Sequence, residues 1–119
     1  LAMHHEIDKM HARLFRYLLD RLSGYVLPEA NLLDRTLAVW VSDLGDGPNH
    51  SYDHLPWVIV GGGGNFLKQG AYVDAGGVTN NKMLNTLLNA AGLRKPDGST
   101  IDDFGDAGLD KGMIEGMLG

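Results

Sequence analysis

The sequence predicts an α/β fold: a small mixed or parallel sheet flanked by two helices. Apolar residues recur at three- and four-residue steps over residues 5–23 and again over 79–92, the spacing of helices with one buried face. Between them, Leu37–Val41 and Trp57–Val60 are apolar at every position, as in strands covered on both sides. Glycine and proline separate these segments, so each reads as a bounded element.

The first helix is expected over 5–23, with Ile7, Met10, Leu14, Tyr17, Leu18 and Leu22 on its apolar face. Glu6 and Asp8 fall in its first turn and Arg16 and Arg21 toward its end, an order that suits the helix dipole. Gly24 is the expected stop, and residues 25–35, with Pro28, connect to the first strand. The run Gly61–Gly64 cannot be regular structure and permits positive φ and close backbone approach. Phe66 to Val73 fits a short strand or a hairpin around Gly70. Thr79 is the expected N-cap of the second helix, whose apolar face is Met83, Leu84, Leu87, Leu88 and Ala91. Gly92 and Pro96 end it. Residues 97–119 read as a glycine-rich tail in which Met113, Ile114, Met117 and Leu118 suit a last amphipathic turn or two. The 119 residues are read as a single α/β domain or a fragment of one.

Composition narrows the function. The chain is 44% hydrophobic and 21% charged, ordinary for a globular protein, and 15 acidic against 10 basic residues give a net charge of −5. That balance argues against a nucleic-acid partner, because phosphates need a basic patch. The absence of cysteine excludes disulfides, thiolate metal sites and a cysteine nucleophile. No apolar run approaches the roughly 18 residues of a membrane span. No signal peptide is recognised, and the opening on Leu1 suggests a processed, recombinant or partial chain. Seventeen glycines, about twice the usual share, lie mostly after residue 60 and predict a loop-rich second half.

The densest group of candidate ligands follows the first strand: Asp43, Asp46, His50, Asp53 and His54. Carboxylates and imidazoles beyond the C-terminal end of a buried strand occupy the usual place for chemistry in open α/β sheets. They also supply the oxygen and nitrogen donors that divalent metals take. His50 and His54 would share a face if the segment were helical, but Gly47 and Pro48 oppose that. The bland alternative is a solvated turn in which Asp and Asn bond the backbone. His4, His5 and His11 form a second histidine group: a metal site, a tag remnant or plain surface. The glycine run lacks the Gly-Lys-Ser/Thr of a phosphate loop, and Ser42 lacks the Gly-x-Ser-x-Gly elbow of a serine hydrolase. Trp40 and Trp57 read as core.

Taken together, several of these pieces resemble the C-terminal part of the bacterial HXXSHH-motif family, large proteins, often exported, that group with the alkaline phosphatase superfamily. The residues that carry the resemblance are Ile7-Asp-Lys-Met-His11, Tyr17 to Leu22, Leu33 to Gly47, His50-Ser51, Leu55-Pro56, Val60 to Gly64, Asn80-Asn81 with Leu84 to Leu93, and Phe104-Gly-Asp106. The resemblance implies the last third of an alkaline-phosphatase-like domain and a bacterial exported protein. In that superfamily a strand ends in Asp-His-Gly and a later His precedes a Pro by six residues, holding one of two metals. Asp43 and Gly45 match the first motif, His50 stands six residues before Pro56, and His54 two before it. Leu44 departs from the pattern, since it replaces a ligating His and cannot bind metal. The superfamily nucleophile and its other ligands belong upstream of the matched part, as does the name-giving motif.

Three functions follow as expectations. The first is a metal-dependent hydrolase, or part of one, acting on small-molecule or polymeric phosphate or sulfate esters. It would have Asp43, His50 and His54 as ligands and Asp46, Asp53, His4, His5 or His11 as further ligands or support. Zinc is the first choice of metal, then copper, iron or manganese. The second is a non-catalytic metal-binding or interaction module. The third is a redox enzyme using copper or iron. Sheet edges left bare would favour a homo-oligomer or a missing upstream segment as partner.

Overall fold

The computed structural model of the protein describes residues 2–119. Its elements run α1 (Ala2–Ser23), a 3₁₀ turn (Leu33–Arg35), β1 (Ala38–Val41), β2 (Trp57–Val60), α2 (Asn80–Ala90) and a last 3₁₀ turn (Glu115–Met117). Two helices with a two-stranded sheet make a mixed α/β arrangement.

α1 begins three residues before the expected boundary, so its first turn holds no acidic residue; Arg21 does lie in the last turn. The face turned to the protein's own body is Phe15, Leu19 and Leu22, all half-buried. Phe15 meets Trp40 of β1 with ring centroids 5.8 Å apart, a tilted aromatic pair. The expected apolar face is instead largely bare: Met3 is 70% exposed, Leu14 60% and Tyr17 65%. The helix closes at Ser23, whose hydroxyl donates to the Asp20 carbonyl at 3.0 Å.

The sheet is antiparallel, which corrects the expectation of a parallel or mixed one. Ala38 faces Val60, Val39 faces Ile59, Trp40 faces Val58 and Val41 faces Trp57. A parallel pair needs a crossover, usually a helix, and residues 42–56 fold into a local loop instead. Nor are the strands covered on both faces: Ala38 is buried and Trp40 half-buried, while Val39 and Val41 are exposed. An antiparallel ribbon leaves one face bare by alternation.

The best-packed region lies between α2 and the tail. Leu67, Met83, Ala90 and Ile114 are its buried apolar side chains. Yet the largest fully buried side chains are polar: Asn85, Thr86 and Asn89, none more than 1% exposed. Asn81, Asn85 and Asn89 recur every fourth residue, so they form one stripe along α2. Leu84, expected in the core, is 37% exposed. The C-terminus of α2 is a Schellman motif: the Gly92 N–H donates to the Asn89 carbonyl and the Leu93 N–H to that of Leu88, both at 3.0 Å. Gly92 sits at φ +88°, as that motif requires. The glycine run packs here as well. A Cβ on Gly63 would collide with the Ala90 carbonyl, so only glycine admits this approach of the loop to α2.

The tail is a wrapped segment. Lys68 N–H donates to the Met117 carbonyl and Gly119 N–H to that of Phe66, both at 2.9 Å, joining the tail to 66–68 through a Leu67–Leu118 bridge. This replaces the strand or hairpin expected over 66–73. The expected last turn is the 3₁₀ turn at Glu115–Met117.

Candidate functional site

The segment 42–56 leaves β1 and folds on its own backbone. Gly45 N–H donates to the Ser51 carbonyl at 2.9 Å, Ser51 N–H to that of Asp46 at 3.1 Å, and His50 N–H to that of Gly47 at 3.3 Å. Gly47 and Pro48 stand at the turn of this small antiparallel bridge, where proline's fixed φ and missing N–H are tolerated. Gly45 lies against the Asp53 carbonyl, where any Cβ would collide. Side chains finish the loop: Asn49 Nδ2 donates to Asp46 Oδ2 at 2.6 Å, Ser51 Oγ to Asp53 Oδ2 at 2.9 Å, and Ser42 Oγ to the Leu44 carbonyl at 2.8 Å.

Asp43, Asp46, His50, Asp53 and His54 are all exposed. His50 and His54 have φ of 51° and 54°, so they are not on one helical face; each is a separate left-handed residue. Asp46 and Asp53 are engaged inside the loop, by Asn49 and Ser51 respectively. His4, His5 and His11 lie along α1, all exposed. Among the described residues no three His, Asp or Glu side chains come together as a metal-holding group. The sequence cluster lies along one exposed loop, with two of its carboxylates, Asp46 and Asp53, already bonded within it.

Sequence reasoning missed the asparagine stripe of α2. Asn81 Nδ2 donates to the Asp110 carbonyl at 2.7 Å. Asn85 Nδ2 donates to the Gly112 carbonyl at 2.9 Å while its Oδ1 accepts from the Phe104 N–H at 3.0 Å. Asn89 Nδ2 donates to the Ile101 carbonyl at 2.7 Å and its Oδ1 accepts from the Ile101 N–H at 3.0 Å. Thr86 adds one more: its hydroxyl accepts from the Ile114 N–H at 2.9 Å and donates to the Lys82 carbonyl at 2.7 Å. An amide side chain carries both a donor and an acceptor, so it can substitute for the backbone partner that an irregular tail lacks. The four-residue spacing of the asparagines was the available signal.

The turn between α2 and the tail is tied by charge. Lys95 bonds to both Asp102 and Asp103, and these hydrogen bonds, Asp102 first, raise its pKa above the ordinary lysine value. The hydrogen bond from Lys95 holds Asp102 below the ordinary carboxylate value. Asp97 is lowered as well, by the Ser99 hydroxyl first and the Ser99 N–H second. These pairings fix the 95–103 turn.

Comparison with known proteins returns nothing: no protein-family model, no curated protein and no solved structure significantly matches this chain.

Proposed function

We propose that this chain works as a non-catalytic interaction module that presents α1 to another polypeptide. One observation carries the proposal: Met3, Ile7, Met10, Leu14, Tyr17 and Leu18, a continuous apolar stripe on one helix, are 42–70% exposed. Isolated apolar residues on a surface need no explanation, but a contiguous stripe of large ones marks an interaction surface. The sheet supports the same reading, because each strand has one partner and turns an unpaired edge outward.

The test is Leu14→Asp. Leu14 touches little in the free chain, so the variant should unfold within about 0.5 kcal/mol of the parent. A loss above about 2 kcal/mol would mean that the stripe packs against the protein's own body, and the module reading would fail.

A second reading, metal binding by the 42–56 loop, has one observation in its favour. Two histidines hold left-handed φ in one loop, and neither imidazole makes a hydrogen bond among the described residues. Residues in sparsely populated backbone regions cluster at functional sites. Zinc, or copper, iron or manganese, would take His50 and His54, with Asp43 and a donor from outside the loop. Ester hydrolysis would further need a nucleophile, and the loop hydroxyls of Ser42 and Ser51 are committed to Leu44 and Asp53. About one equivalent of metal by elemental analysis, lost in His50→Ala and His54→Ala, would support this reading; full metal content in both variants would exclude the ligand assignment.

A further inference from the structure

We propose that the occupant of the α1 stripe is a second copy of this chain, docked antiparallel over residues 3–14; the inference rests on the module reading above. The stripe has the spacing of a helix–helix seam. Met3, Ile7, Met10, Leu14 and Tyr17 alternate in steps of four and three, a heptad pattern with Ile7 and Leu14 at one seam position and Met3, Met10 and Tyr17 at the other. At about 100° per residue this seam lies roughly 125° around the helix from Phe15, Leu19 and Leu22. The helix therefore keeps one apolar face for its own body and a separate one for a partner helix.

Charge chooses among the possible pairings. Glu6, Arg13 and Asp20 line one flank of the seam, one every seventh residue. In the antiparallel register that sets Ile7 against Met10 of the second copy and Leu14 against its Met3, Glu6 of each copy faces Arg13 of the other, twice per dimer. A register one heptad longer would bury Tyr17 as well. It would also set Glu6 against Asp20 and Arg13 against Arg13, like charges throughout. A parallel pair would bring Arg21 onto Arg21 within the seam. Arg13 forms no ion pair among the described residues, while Glu6 already bonds Lys9 at 2.9 Å on its outer side. Of the registers that keep Ile7 in the seam, only this one makes the flank complementary to itself; the register that pairs Arg13 with Asp20 leaves Ile7 and Met3 unpaired and brings Arg21 against Met10. The opposite flank brings His4 of each copy beside His11 of the other.

The test is sedimentation velocity on the 119-residue chain across a concentration series, with circular dichroism confirming the fold of each variant. The parent should dimerise reversibly. Glu6→Arg and Arg13→Glu should each weaken the dimer about tenfold, since each turns two attractive pairs into repulsive ones. The double variant Glu6→Arg/Arg13→Glu should restore affinity to within about threefold of the parent. A parent that stays monomeric at every concentration overturns the inference. So does a Glu6→Arg variant that dimerises as well as or better than the parent, which would favour the register pairing residue 6 with Asp20. Leu14→Asp separates the two levels of the account. A monomeric parent with an undestabilised Leu14→Asp variant removes the second copy as occupant and leaves the module with a different partner. A variant destabilised at concentrations too low for the parent to associate removes both.

Discussion

Replacing Asn85 by alanine should cost about 2–4 kcal/mol of stability, because one fully buried amide closes two long-range connections. Alanine keeps the helix propensity of α2 or improves it, so any loss comes from the contacts rather than the helix. The substitution removes the bond to the Gly112 carbonyl and the bond from the Phe104 N–H. Each lost hydrogen bond costs about 0.5–1.5 kcal/mol net, and a partner left buried without a substitute costs about 1–3 kcal/mol. Phe104 is 48% exposed, so water can reach part of that segment and the lower half of the range applies on that side. The total is a large share of the roughly 5–15 kcal/mol expected of a whole domain. Urea denaturation gives the free energy, and amide exchange shows where it is lost. The N–H groups of Phe104 and Ile101 should exchange faster in the variant, while those of β1 and β2 change less. Asn49→Ala is the control: its amide bonds Asp46 on the surface, and its loss should fall within about 0.5 kcal/mol. An Asn85→Ala protein as stable as that control, with Phe104 exchange unchanged, would refute the reasoning that the stripe anchors the tail.

Two further outcomes follow from the same region. Gly63→Ala should destabilise by about 1–3 kcal/mol in thermal melts, since Gly63 has φ +54° and its added Cβ would meet the Ala90 carbonyl; an unchanged melting temperature would show that the loop does not approach α2. For pH, Asp102 and Asp97 have folded-state pKa values below those of the unfolded chain, so their contribution is present above the ordinary carboxylate pKa, roughly 4, and is lost as pH falls through the lower folded value. Lys95 runs the other way: its raised pKa gives a contribution present below the ordinary lysine pKa, roughly 10.4, and lost as pH rises through the higher folded value. Lys95→Met should therefore flatten the alkaline limb and the Asp102 part of the acid limb, while the Asp97 part, set first by Ser99, persists; a variant with unchanged acid and alkaline limbs would contradict the assignment.

The helices and strands were legible because periodicity reports burial on regular elements. Thr79, Asn80 and Gly92 mark the bounds of α2 closely, since caps and left-handed glycines leave local signatures. Strand direction was not legible: an all-apolar run such as Leu37–Val41 reads alike in a parallel strand and in a short antiparallel one. α2 was legible in part: Met83 is buried and Leu87 and Leu88 half-buried as expected, whereas Leu84 and Ala91 are exposed and the stripe of asparagines packs against the tail. A polar side chain reads as surface unless a partner is known, and the partners here are backbone groups 12–29 residues away. The loop 42–56 was legible as a place where His and Asp accumulate. Whether they converge was not, because that depends on the turn made by Gly45, Gly47 and Pro48 and on the left-handed backbone at His50 and His54. The apolar stripe of α1 was legible as a stripe, but its spacing reads as a face buried within the chain, and it is exposed.

The bare stripe is the centre of the account, and methionine oxidation measures it most directly. Met3 and Met10 lie on the stripe at 70% and 49% exposure, whereas Met83 in the core is at 9%. In the dilute chain treated with hydrogen peroxide, peptide mass spectrometry should find Met3 and Met10 converted to sulfoxide at rates near those of an unfolded peptide and Met83 strongly protected. Met3 and Met10 protected as fully as Met83 at high dilution would mean that α1 buries its stripe within the same chain, which contradicts the account.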